Sequence, residues 1–157
     1  MKNNRFYTLF AIAVLLALVG ATAFAPQAAY AKSGGGTGTL TASGDGLAGI
    51  RGNGTASISG NGILWIRDHA GDASISVSGS GEKRELANGW IRYAGFKGSA
   101  TVSGSSITVA LSGYDVNLQA SGTGKFVLRG NGTYTAVRNG VTVSGTWTEN
   151  AEVQQLP

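Results

Sequence analysis

The chain of 157 residues reads as all-β, a fold of short repeated strands. Three observations predict this. Apolar residues alternate with Ser and Thr at period two, glycine interrupts the chain every few residues, and the same Ser-Gly corner recurs along it. Strict alternation marks strands with one buried side. Thr39-Leu40-Thr41-Ala42-Ser43, Thr55-Ala56-Ser57-Ile58-Ser59, Ser106-Ile107-Thr108-Val109-Ala110-Leu111 and Val116-Asn117-Leu118-Gln119-Ala120 all show it. No segment after Ala31 holds a helical period, and each interior glycine would cost a helix about 1 kcal/mol.

The corners are Ser43-Gly44-Asp45-Gly46, Ser59-Gly60-Asn61-Gly62, Ser78-Gly79-Ser80-Gly81, Ser103-Gly104-Ser105-Ser106 and Ser121-Gly122-Thr123-Gly124, with a degenerate form at Arg138-Asn139-Gly140. From serine to serine the steps are 16, 19, 25 and 18 residues; the longest contains the charged insertion Glu82-Lys83-Arg84-Glu85. A second corner also repeats, Arg51-Gly52-Asn53-Gly54-Thr55 returning as Arg129-Gly130-Asn131-Gly132-Thr133. Regular recurrence favours a parallel β-solenoid, in which like residues stack coil upon coil. Asn-Gly and Asp-Gly corners favour hairpins, and so the alternative of an antiparallel meander closed as a barrel or sandwich.

Residues 1–31 have the form of a secretory signal peptide. Lys2 and Arg5 are followed by the uncharged apolar run Leu9–Ala25 and by Ala29-Tyr30-Ala31, with small residues at the −3 and −1 positions. Cleavage after Ala31 is expected, because Pro26 spoils the other small-residue site at Ala23-Phe24-Ala25; the alternative is a retained anchor. The expected organisation is then a Gly-rich lead-in over 32–38, a β-repeat domain over 39–148 and a tail over 149–157. Export predicts an extracytoplasmic location, secreted or in the cell envelope.

Without Lys2 and Arg5 the formal charge falls from +4 to +2, too little to argue for nucleic acid. The absence of cysteine excludes both disulfide stapling and a lipid-anchored lipoprotein, so backbone pairing and an apolar core must hold the domain.

The stretches ASISGNG (56–62), ASISVSGSG (73–81), ATVSGSS (100–106) and LQASGTG (118–124) resemble the repeat of the head-GIN family, bacterial proteins described as auto-transporter adhesins. They also resemble the coils of polymer-forming bactofilins. The resemblance implies a β-solenoid with an envelope or adhesive role and carries over no functional residue. The chain departs from the head-GIN pattern at the position after the corner, where Ile63, Glu82, Ile107 and Lys125 stand instead of an acid. It departs from bactofilins in carrying an export signal.

No catalytic set is legible. His69 is the sole histidine, and no G-x-S-x-G elbow is present. In Arg67-Asp68-His69-Ala70-Gly71-Asp72 the expected structure is an exposed turn with Asp72 capping it through local backbone hydrogen bonds, rather than a metal site, which needs more ligands. The mature chain's carboxylates lie scattered over corners, insertion and tail, not paired as glycoside hydrolysis requires. Gly-x-Gly leads into strands, not into the helix a phosphate loop needs. No enzymatic activity and no cofactor or metal are therefore expected.

The aromatic residues give the best binding signal. Trp65 sits between Leu64 and Ile66 and must take the opposite side of its strand, and Trp90 stands beside Ile91 in the same way. If those neighbours are core, Trp65 and Trp90 lie outside, where an exposed tryptophan stacks on a sugar ring or a partner; the alternative is that the rings cover the open end or a second layer of the fold. The arginines in Ile50-Arg51, Ile66-Arg67, Ile91-Arg92 and Leu128-Arg129 should point outward on a solvated side. Asn53-Gly54-Thr55 and Asn131-Gly132-Thr133 match the glycosylation acceptor pattern and read here as turn chemistry. Two functions follow. One is an exported structural or adhesin-like protein, whose partners are copies of itself through strand edges or envelope polysaccharide and protein. The other is a soluble carbohydrate- or protein-binding module anchored by exposed aromatics.

Overall fold

Alternating strands broken by glycines build one continuous, doubled-back ribbon in the computed structural model, which describes residues 37–156. The expected signal peptide over residues 1–31, the expected cleavage after Ala31 and residues 32–36 of the expected lead-in lie outside the described residues. The strands are β1 (Gly38–Asp68), β2 (Ser74–Glu85), β3 (Trp90–Arg138), β4 (Val141–Thr146) and β5 (Glu152–Leu156). β5 thus lies within the stretch read from the sequence as a tail.

β1 runs antiparallel to β3 on both of its sides: Ala42 faces Leu118 and Tyr134, and Ile58 faces Ala100 and Leu118. The same stretch of β3 therefore lies between two successive windings of β1. All strand pairs among the named strands are antiparallel. The parallel solenoid is corrected accordingly. The chain does wind, with a corner every eight residues at Gly44-Asp45-Gly46, Gly52-Asn53-Gly54 and Gly60-Asn61-Gly62. However, β3 returns between the windings, so neighbours oppose one another. Among the described residues the sheet does not close.

The corners divide the ribbon into two layers around the core. Across layer one the order is 141–146, 131–138, 38–45, 115–122, 54–60, 98–104 and 74–80. Across layer two it is 152–156, 124–130, 46–52, 107–113, 62–68, 90–96 and 82–85. Leu40, Ala42, Ala56, Ile58, Val102, Leu118 and Ala136 from layer one, and Ala48, Ile50, Leu64, Ile66, Val109, Leu111 and Phe126 from layer two, join one buried cluster.

The inward residues of β1 keep one parity from Leu40 to Ile66. β3 shifts register by single residues near Gly95, Ser106 and Asp115, each at positive φ (63°, 52° and 53°). Such bulges let the longer returning arm stay in phase with β1. The middle residues of the β1 corners hold two of them. The Ser106 N–H donates to Asn53 Oδ1 at 2.7 Å, and the Asp115 N–H donates to Asp45 Oδ1 at 2.9 Å. Asn53 is thus turn chemistry, as its motif suggested.

Candidate functional site

The two layers turn unlike sides away from the core. On layer one the outward residues fall in three rows across seven strands. The middle row is Ser144, Thr135, Thr41, Gln119, Ser57, Thr101 and Ser76. The flanking rows pass through Thr39, Ser121 and Thr55, and through Ser43, Asn117 and Ser59. No position in the three rows is charged, and all but Val137 carry a hydroxyl or an amide. Strand geometry spaces them about 4.8 Å along a row and about 6.8 Å between rows, so each row is about 29 Å long.

Most of these side chains are exposed. Several hydroxyls bond across strands, Thr55 Oγ1 to Ser103 Oγ at 2.9 Å, Ser57 Oγ to Thr101 Oγ1 at 3.1 Å and Thr135 Oγ1 to Ser144 Oγ at 3.0 Å. These bonds fix the rotamers, while each oxygen keeps further capacity for a ligand. Sequence reading passed over this face, although its signal was present: the polar positions of strands 39–43, 55–59 and 117–121 carry no charge, whereas those of layer two carry arginine.

Layer two's side away from the core gathers all four arginines singled out by sequence, Arg51, Arg67, Arg92 and Arg129, with Lys125. They are half-buried rather than fully solvated. Trp65 and Trp90 lie on this side, opposite their core neighbours as predicted. They are not exposed rings: their relative exposures are 5% and 7%. The two rings meet edge to face at 6.1 Å, Arg92 lies 5.7 Å from the Trp65 centroid and Arg67 lies 5.7 Å from that of Trp90. With Leu47, Ala110 and Val127 they are buried outside the core cluster. The exposure expected of a binding surface at Trp65 and Trp90 is corrected: the two rings pack against each other over layer two, with the Arg92 and Arg67 guanidinium groups against them.

The 69–73 loop joins the 62–68 segment of layer two to the start of β2 in layer one. Asp68, not Asp72, caps it locally: Asp68 Oδ1 accepts from the Ala70 and Gly71 N–H groups at 3.0 and 2.8 Å, and Oδ2 accepts from the Ala73 N–H at 2.8 Å. Asp72 reaches across to Ser105, accepting from its N–H at 3.0 Å and from its hydroxyl. The three carboxylate and imidazole groups point to different partners, since His69 Nε2 bonds Thr108 Oγ1 at 2.9 Å and its ring stands edge-on to Trp90. Among the described residues no group of three or more His, Asp or Glu forms a metal-binding cluster. Asp45 and Asp115 do come together, but Asp45 holds the Asp115 amide and Asp115 accepts from Asn61 Nδ2 at 3.2 Å, which makes the pair a corner clasp.

Burial, with the positive charge of Arg51 and Arg67, holds His69 below the ordinary imidazole value. The Ala73 amide, followed by those of Gly71 and Ala70, outweighs desolvation and holds Asp68 below the ordinary carboxylate value. In both cases the unfolded chain binds more protons in the interval between the two pKa values, so stability rises with pH there. The melting temperature should be level between about pH 7 and about pH 9 and should fall as the pH drops through about 6.5 and the folded His69 value. His69→Gln should remove this first fall and leave the carboxylate fall below about pH 4, checked by calorimetry across pH.

No family model, curated protein or solved structure matches the chain.

Proposed function

We propose that this chain is an exported, non-enzymatic, adhesin-like protein of the cell envelope or extracellular matrix, and that it lies along a neutral polysaccharide through the outward side of layer one. The observation that carries this reading is the three uncharged hydroxyl and amide rows. A surface of this kind offers donors and acceptors without ions, and matches a polymer that offers the same. A single hydroxyl contact contributes only about 0.5–1.5 kcal/mol net, so affinity must come from many contacts along an extended chain. Rows about 29 Å long suit that. Twist also matters. Neighbouring strands rotate by about 20–25°, so a polymer that can follow the rotation fits the rows better than a rigid plane does. The signal-like residues 1–31 support an extracytoplasmic setting. The exposed-aromatic module is the weaker reading, since Trp65 and Trp90 are buried.

The test is co-sedimentation of the purified full chain with insoluble glycans, neutral (cellulose, chitin, β-glucan) and anionic. Retention on a neutral glycan that survives about 0.5 M salt, where charge interactions are screened within a few ångströms, is the expected result. Retention on the anionic polymers alone, lost in salt, would move binding to the arginine side and contradict the proposal. So would retention on none of them.

A further inference from the structure

Among the described residues β2 is the last strand of the sheet and pairs on one side only, with β3. An open edge of this kind is a template for another strand, and natural edges are normally blunted by charge, proline or a bulge. The first half of β2, Ser74-Ile75-Ser76-Val77-Ser78, has none of these. Its charges, Glu82-Lys83-Arg84-Glu85, all fall in the other layer, where they sum to zero and already pair within the strand, Lys83 with Glu85 and Arg84 with Glu82, at 2.7 Å each.

The segment is also a palindrome in the sense that antiparallel pairing requires. Read backwards from Ser78 it gives Ser, Val, Ser, Ile, Ser. The strand already occupying its paired side gives, opposite the same five residues, Ser103, Val102, Thr101, Ala100 and Ser99. A second β2, turned by half a revolution about an axis at Ser76, would therefore repeat the chemistry that β2 already accepts. Serines would meet serines on the outward side, and Ile75 would meet Val77 on the core side, where both are partly buried against the apolar cluster.

We infer that the free edge of β2 binds a second copy of this chain, β2 against antiparallel β2, with Ser76 facing its own counterpart on the twofold axis. Such self-complementary pairing closes as a dimer, the commonest symmetry of soluble oligomers. The two layers continue from copy to copy, and the hydroxyl rows of layer one double in length. The inference stands without the polysaccharide reading, because its test contains no glycan.

Analytical ultracentrifugation of the full chain over a concentration series tests it, together with Ser76→Lys and Ser76→Glu. Ser76 is exposed, so neither change disturbs the core. Like charges directly opposite on an antiparallel pair repel, and each variant alone should dissociate at least about tenfold more readily than the parent. An equimolar mixture of the two variants should restore the dimer, because Lys then faces Glu. A parent that is monomeric throughout, or that grows into open-ended polymers, would overturn the inference. So would a Ser76→Lys dimer of unchanged strength, or a mixture that fails to reassociate.

Discussion

Gly122→Ala is expected to cost about 3–5 kcal/mol and to leave the chain largely unfolded in mild denaturant. Gly122 has φ +141°, where an L side chain is strained by about 1–3 kcal/mol. A Cβ there would also sit inside the carbonyl oxygen of Asn53, with the Gly54 Cα close behind it. Both obstacles are backbone, held by two ladders, so relief requires moving a corner; overpacking of this sort costs a further 1–3 kcal/mol or so. Gly140→Ala is the control. Its φ is +79° and nothing lies within 4 Å of the added carbon, so only the strain of about 1 kcal/mol remains. Urea titrations of the two variants, read at constant m-value, separate the effects. Equal midpoints would show that corner packing contributes nothing.

Phe126→Ala should cost about 3–5 kcal/mol through lost burial and a residual cavity. Phe126 is fully buried in layer two, its ring stands 5.7 Å from that of Tyr134 in layer one, and the Arg138 guanidinium lies 5.6 Å above it. It therefore joins the two layers close to the end where β4 and β5 lie. Tyr134 and Arg138 both meet Gln154 of β5, at 3.2 and 3.1 Å, so losing the ring should also loosen β5. Phe126→Leu, which keeps most of the volume, should cost about 1–2 kcal/mol. Calorimetry gives the stability, and hydrogen exchange at residues 152–156 reports the loosening. Unchanged protection there in Phe126→Ala would mean that β5 is held by its ladder alone.

Much of the fold was legible because inward and outward positions differ so plainly. Leu40, Ala42, Ala56, Ile58, Val109, Leu111, Val116 and Leu118, assigned to the core from alternation, are all buried there. The corners were legible from glycine. Strand direction was not. Both arms of the ribbon carry the same Gly-x-Gly motif, so a parallel stack of like corners and an antiparallel interleaving satisfy the same local pattern. What decides is register over long separations, such as Thr55 with Ser103 and Ser121, together with the bulges at Ser106 and Asp115 that let one arm slip by a residue. Single-residue bulges leave no mark in composition. The Trp65 and Trp90 side was placed correctly, but its burial depends on Arg92 and Arg67 folding over the rings, a long-range contact that alternation cannot reveal. The hydroxyl face went unnoticed for the opposite reason: Ser and Thr in strands read as filler until the register aligns them into rows.

The most direct test of the polysaccharide-face account is a depletion isotherm on an insoluble neutral glycan for the full chain, Gln119→Lys and Lys125→Ala. Gln119 lies at the centre of the middle row and is exposed, whereas Lys125 lies on layer two's outward side. The account predicts that Gln119→Lys, with unchanged melting temperature, loses about tenfold in affinity through the long charged side chain it raises above the rows, costing about 1.4 kcal/mol, while Lys125→Ala binds as the parent does. Parental binding by Gln119→Lys, or a loss confined to Lys125→Ala, would contradict it.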